Sequence, residues 1–180
     1  MTRLITVFFG SMILISIMAT VTLDLPEELL AILKRRADSE GKSLEELVSD
    51  AIFSHYGIDD PKIRAEAHLK LCERFLREGE KLLAKGDYVQ ASEKFWGAAS
   101  QMVKAVAAER GLKLRSHGEL HRFVAELTKE SRDPEVRRLW QSAVSLHQNF
   151  YENWLPPEMV EGNVDDVKRF IEKLGKMLKR

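Results

Sequence analysis

The sequence predicts a mostly α-helical protein: a short strand–helix–helix segment followed by an up-and-down bundle of helices. Three observations carry this. Glycine (10) and proline (5) are sparse among 180 residues, and most of them punctuate stretches whose apolar residues recur at helical spacing. Strict apolar/polar alternation occurs once, near the N-terminus. Apolar residues make up 44% and charged residues 31%, enough for a buried core under a soluble surface.

The charge totals exclude some partners. Twenty-eight basic residues balance 28 acidic ones, so no global field draws the chain to nucleic acid or an anionic membrane. The single cysteine, Cys72, rules out an internal disulfide and suits a reducing, cytoplasmic location. No glycine-rich phosphate loop, paired catalytic carboxylates or serine triad is present, and no cofactor or zinc-site spacing is expected.

The first residues stand apart. No charge occurs from Leu4 to Leu23, about the roughly 20 residues of a membrane-spanning helix. Part of that run is better explained as a strand, which leaves Leu4–Ile17, too short to span comfortably. Ile17 and Met18 before Ala19 are not the small residues that a signal peptidase reads. Residues 1–17 are therefore read as an extension outside the fold, such as a misplaced start codon leaves. The other reading is that residues 4–17 form part of an anchor; otherwise no membrane partner is expected.

Residues 18–57 form the first unit. Ala19, Val21, Leu23 and Leu25 alternate with Thr20, Thr22 and Asp24, the period of a half-buried strand. Pro26 with Glu27 and Glu28 opens a helix with Leu29, Leu30, Ile32 and Leu33 on its inner side. Gly41 breaks it. Ser43 and Glu46 are spaced as a capping box for a second helix, with Leu44, Leu47, Val48, Ala51 and Ile52 inward. This small unit cannot bury a core alone. The Val-Thr-Leu-Asp-Leu-Pro strand and Gly-Lys-Ser turn resemble the ribbon-helix-helix module, which implies a homodimer with paired strands. DNA-binding members read the major groove with outward strand residues. Here those are Thr20, Thr22 and Asp24, and residues 18–57 carry four basic against eight acidic side chains. Phosphate neutralisation is missing, so the module is read as a dimerisation device, with a DNA-binding regulator as the minor alternative.

After the Gly57–Pro61 linker, residues 62–180 form five helices. Leu71, Cys72, Phe75, Leu76, Leu82 and Leu83 stripe the first. Asp87 caps the second, Tyr88–Arg110, whose Ala91, Gly97, Ala98, Ala99 and Ser100 permit close helix approach. Ser116 and Glu119 form another capping box ahead of Leu120, Val124 and Leu127. Asp133 and Pro134 start the fourth helix, expected to run to Trp154 and to end at Pro156-Pro157. Its inward face holds Val136, Leu139, Trp140, Ala143, Phe150 and Trp154, with His147 among them. Val164, Val167, Ile171, Leu174 and Leu178 make the seam of the last helix.

Three motifs follow in order: Asp-Tyr-x-Gln-Ala-Ser-x-Lys-x-Trp-Gly-Ala-Ala from Asp87, Arg115-Ser-His117-x-Glu-Leu, and Leu146-His147-x-Asn149-Phe-Tyr151-Glu152. Together they resemble the archaeal PaREP family, a branch of the HEPN group of helical bundles. The resemblance implies an HEPN-like bundle over about two-thirds of the chain. HEPN relatives include RNA-cleaving toxins, partners of nucleotidyltransferases, and nucleotide-binding or dimerising domains. The ribonucleases carry an arginine a short spacer ahead of a histidine, serving in-line attack by a ribose hydroxyl. Before His147 the nearest arginine is Arg138, nine positions earlier on the opposite helix side. Arg115 and His121 have the spacing but occur one helix early.

The expected function is therefore a non-catalytic nucleotide- or RNA-binding or assembly module, of toxin–antitoxin or nucleotidyltransferase-associated type. A nucleotidyltransferase or an antitoxin is the implied partner. The alternative is a metal-independent endoribonuclease using His147, or Arg115 with His121. His147, Asn149, Tyr151, Glu152, Arg115 and His117 are the candidate ligand-binding residues, with Asn149 and Glu152 expected on an exposed face. Arg115 and Lys113 beside the amides behind Ser116 suggest an anion site. His117 and His121 have i, i+4 metal-ligand spacing but no third ligand, so no metal is expected.

Overall fold

The structure, a computed structural model, describes residues 21–178. Seven helices follow one another: α1 (Glu27–Glu40), α2 (Leu44–His55), α3 (Pro61–Leu83), α4 (Tyr88–Glu109), α5 (His117–Ser131), α6 (Pro134–Glu152) and α7 (Pro157–Leu178). Their starts follow from local chemistry. The side chains of Ser43, Asp60, Asp87, Ser116 and Asp133 each accept from a backbone N–H of the following first turn, and Pro61 and Pro134 occupy first positions where no donor is lost.

The bundle is arranged around α4, which packs against α3, α5, α6 and α7. The sequence explains why. Between Lys94 and Glu109 its one charged residue is Lys104, so nearly every face of α4 can be buried. Phe95, Trp140 and Phe170 are among the largest fully buried side chains, each contributing roughly 1.5–3 kcal/mol by leaving water. The α3–α4 contact is close because glycines face aromatic rings. A Cβ on Gly79 would come within 2.9 Å of the Phe95 ring, and one on Gly97 within 3.0 Å of the Phe75 ring. Cys72 lies in the same core, and burial pushes its thiol up to about 12. No nucleophilic thiolate therefore exists near neutral pH.

The five-helix bundle and both N-terminal helices match expectation, but the N-terminal strand does not appear. Residues 21–26 carry no regular secondary structure, and no strand occurs among the described residues. A strand needs a neighbour for its backbone N–H and C=O groups, and a single chain supplies none here. Residues 19 and 20, and the apolar run 1–17, lie outside the described residues. Among those described, no helix is long and apolar enough to cross a membrane.

Three other expectations shift. Leu29, Ile32 and Ile52, placed inward by periodicity, are exposed, because α1 packs on α2 alone. Glu46 does not complete its capping box: Ser43 Oγ accepts from the Glu46 N–H at 3.1 Å, but the Glu46 carboxylate turns to the bundle. Finally, α6 stops at Glu152, before the double proline, and Pro157 opens α7. Asn153 takes a left-handed conformation (φ 48°) there, and Trp154, expected in the core, is exposed.

Candidate functional site

The site lies where the turn between α1 and α2 meets the bundle. Helix α4 supplies Trp96 as its floor, and His147 of α6 lies over it, ring centroids 4.5 Å apart at 24°. His117, the first residue of α5, meets the His147 ring edge-on at 5.0 Å and Trp96 at 5.5 Å. Tyr151, one turn beyond His147, packs on it edge-on at 5.2 Å. The Glu93 carboxylate stands 3.4 Å from His147 Nδ1. Behind this layer Trp96 meets Trp140 at 5.1 Å, and Trp140 meets Phe170 at 5.5 Å, so the floor is anchored in the core.

Gly41 lets the turn close over the imidazoles. It ends α1 in a left-handed conformation (φ 62°), and a Cβ there would come within 3.0 Å of His117 Nε2; any larger residue would be both strained and crowded. The result is a cavity of about 170 Å³, below the roughly 300 Å³ at which pockets for drug-sized ligands begin. Among its lining residues, Lys42, Lys94 and Lys104 face Asp38, Glu45, Glu46 and Glu93. With carboxylates outnumbering ammonium groups, it favours a neutral ring with hydrogen-bond donors over a phosphate.

A buried polar chain holds the turn in place. Lys104 Nζ of α4 lies 2.6 and 2.8 Å from the two Glu46 oxygens, and Gln101 Nε2 donates to Glu46 at 2.6 Å. Gln101 Oε1 in turn contacts His68 Nδ1 at 2.7 Å. Glu46 and Lys104 are only 2% and 5% exposed. Sequence reasoning marked Glu46 only as a cap and did not mark Lys104, Gln101 or His68, yet the signal was present: a lone lysine in the otherwise uncharged, almost wholly buried stretch 95–108 needs a carboxylate partner.

The structure gathers three of the expected ligand-binding residues, His147, His117 and Tyr151, and separates the rest. Asn149, expected on an exposed face, is fully buried: its Nδ2 donates to Ser92 Oγ at 3.0 Å, while its Oδ1 accepts from the Trp154 and Leu155 N–H groups at 3.0 and 2.8 Å. Its amide therefore closes the end of α6. Glu152 is exposed at the helix terminus. His121 Nδ1 accepts from Trp140 Nε1 at 2.9 Å, and Arg115 lines a different cavity. The spaced pair Arg115 and His121 is thus not brought to His147. Among the described residues, no group of three or more His, Cys, Asp or Glu side chains could hold a metal ion; His117 meets aromatic rings instead.

Three of the histidines titrate below their ordinary range. Burial is the leading cause for His68, His117 and His121, and the positive potential of His147 adds to it for the latter two. Each is bound neutral in the fold but takes up a proton more readily when unfolded, near the ordinary 6.5. Their contribution to stability is thus complete above that pH and is lost as pH falls below it. The melting temperature should drop between about pH 7 and about pH 5, with a shallower slope for His68→Gln. A melting temperature that is flat or rises over that interval would contradict neutral burial. For Tyr151, partial desolvation and then the Glu93 and Asp38 carboxylates hold the phenol above its usual value, so it remains a donor.

The geometry defines a class first: a helical bundle with a histidine–aromatic cleft, capped by a docked helical hairpin. Residues 67–171 match the model of the Archaeal PaREP1/PaREP8 family, and the chain belongs to that family. No curated protein and no solved structure matches it.

Proposed function

We propose that this protein is a non-catalytic binding and assembly module of HEPN-like type, whose cleft takes a nucleobase of a nucleotide or of single-stranded RNA. One observation carries the reading: His147 is stacked on Trp96 beside a carboxylate, with no guanidinium in the cleft. In-line ribose attack needs an uncommitted cation for the developing phosphate charge; here Lys42, Lys94 and Lys104 are each ion-paired with a carboxylate, and a carboxylate stands nearest the imidazole. What the cleft offers is the exposed Tyr151 ring for stacking, with Glu93 and His147, held on Trp96, to meet a base edge. Nucleosides and short unphosphorylated RNA should raise the melting temperature of the full chain, and His147→Ala should abolish the rise. An identical rise in that variant would refute the assignment.

The module is also proposed to join two copies, in the service of a nucleotidyltransferase or antitoxin assembly. Val21, Leu23, Leu29, Ile32 and Ile52 expose apolar surface on the N-terminal segment and its two helices, a set that a second copy pairing its strand would cover. Light scattering should give a dimer mass, reduced to the monomer by Ile32→Asp. A monomeric wild-type chain at micromolar concentration would refute it.

A further inference from the structure

A second cavity, of about 360 Å³, shares Lys42, Glu46 and Lys104 with the cleft but otherwise has its own walls. Helices α2 and α3, the end of α4 and the loop into α5 enclose it. Five cations line it, Lys42, Arg64, Lys104, Lys113 and Arg115, against the carboxylates Glu46, Asp50 and Asp59. His68, also in the wall, is held towards its neutral form by burial.

Two of those cations are already committed. Lys104 is paired with Glu46, and Lys42 lies 2.8 Å from Asp50 and 3.0 Å from Glu40. Of the remaining three, Lys113 and Arg64 share one carboxylate. Asp59 lies 2.7 Å from Lys113 and 3.5 Å from Arg64, but its side chain is 74% exposed, so water screens its pull. The Arg115 guanidinium enters no ion pair or hydrogen bond among the described residues. Arg64 is the sharper case. Its side chain is only 14% exposed, its guanidinium lies over the Phe53 ring at 4.8 Å, and its buried Nε has no hydrogen-bond partner. A largely desolvated guanidinium whose terminal nitrogen meets only a screened carboxylate at 3.5 Å is costly, and a phosphate oxygen is the acceptor that its terminal edge fits.

We propose that this cavity binds the phosphate of a small phosphorylated molecule of about mononucleotide size. Arg64 and Arg115 grip the phosphate with Lys113, while Phe53, Ile58 and Leu112 form an apolar wall for the remainder. The volume lies at the lower end of the roughly 300–1,000 Å³ typical of small-ligand pockets. The inference goes beyond the base-binding cleft, which has the opposite charge balance and different walls.

Calorimetric titration of the full chain with inorganic pyrophosphate and with AMP tests it. Both should bind. Arg115→Gln, at an exposed position, and Arg64→Lys, which keeps the charge but loses the fork, should each weaken binding by at least about tenfold. His147→Ala should leave pyrophosphate binding unchanged, which separates this site from the cleft. Absence of heat with both ligands at millimolar concentration would overturn the proposal. So would unaltered affinity in the two arginine variants, sulfate binding as tight as AMP, or binding of an RNA oligonucleotide without AMP.

Discussion

Replacing Lys104 with methionine is expected to destabilise the protein by about 3–5 kcal/mol, the cost of leaving one partner of a buried ion pair unpaired. Glu46 is almost inaccessible and would keep only the Gln101 amide as donor. Glu46→Gln should cost a comparable amount by stranding the Lys104 ammonium. The double variant Glu46→Leu/Lys104→Met should recover most of the loss, since an apolar pair of similar volume often substitutes for a buried ion pair. Urea denaturation of the wild type, Glu46→Leu, Lys104→Met and the double variant closes the cycle. Single losses below about 1 kcal/mol, the range of exposed pairs, would mean that water reaches the contact and that the hairpin is not clamped to the bundle. The consequence reaches the cleft: α2 carries Glu46, and the turn before it carries Gly41 against His117. The single variants should also lose the tight closure over His147.

The second large effect concerns Asn149. Removing its amide with Asn149→Ala strands two backbone N–H groups and takes one donor from the Ser92 hydroxyl, which keeps its bond to the Tyr88 carbonyl. At roughly 1 kcal/mol per bond, stability should fall by about 3 kcal/mol. Because the side chain faces the interior, the nucleoside response of the surviving folded protein should persist. Chemical denaturation paired with ligand titration separates the two roles. Unchanged stability with a lost ligand response would return Asn149 to the binding residues.

Legibility in the sequence followed the range of the forces involved. Caps and periodicity are local, so Ser43, Asp87, Ser116 and Asp133-Pro134 located four helix starts, and the apolar stripes of α3 to α7 located the core. The order of motifs pointed to the PaREP family. What was not legible depended on contacts distant in sequence. Helical phase alone put Asn149 at the surface, whereas its neighbour Ser92 lies 57 residues away. Glu46 was read as a local cap because its partner lies 58 residues off on α4. The exposed faces of α1 and α2 mark a different limit: periodicity shows which side is apolar, not what covers it. Arg115 and His121 show the same gap, since correct spacing along the chain did not bring them to a common site.

We propose above all that the His147–Trp96 cleft binds without cleaving. The most direct measurement incubates the full chain with an end-labelled, short single-stranded RNA, measures saturable binding, and recovers the RNA to examine its length and ends. Bound, intact RNA is expected, with binding abolished by His147→Ala. RNA shortened to fragments with 2′,3′-cyclic phosphate ends, in a reaction lost on His147→Ala, would contradict it.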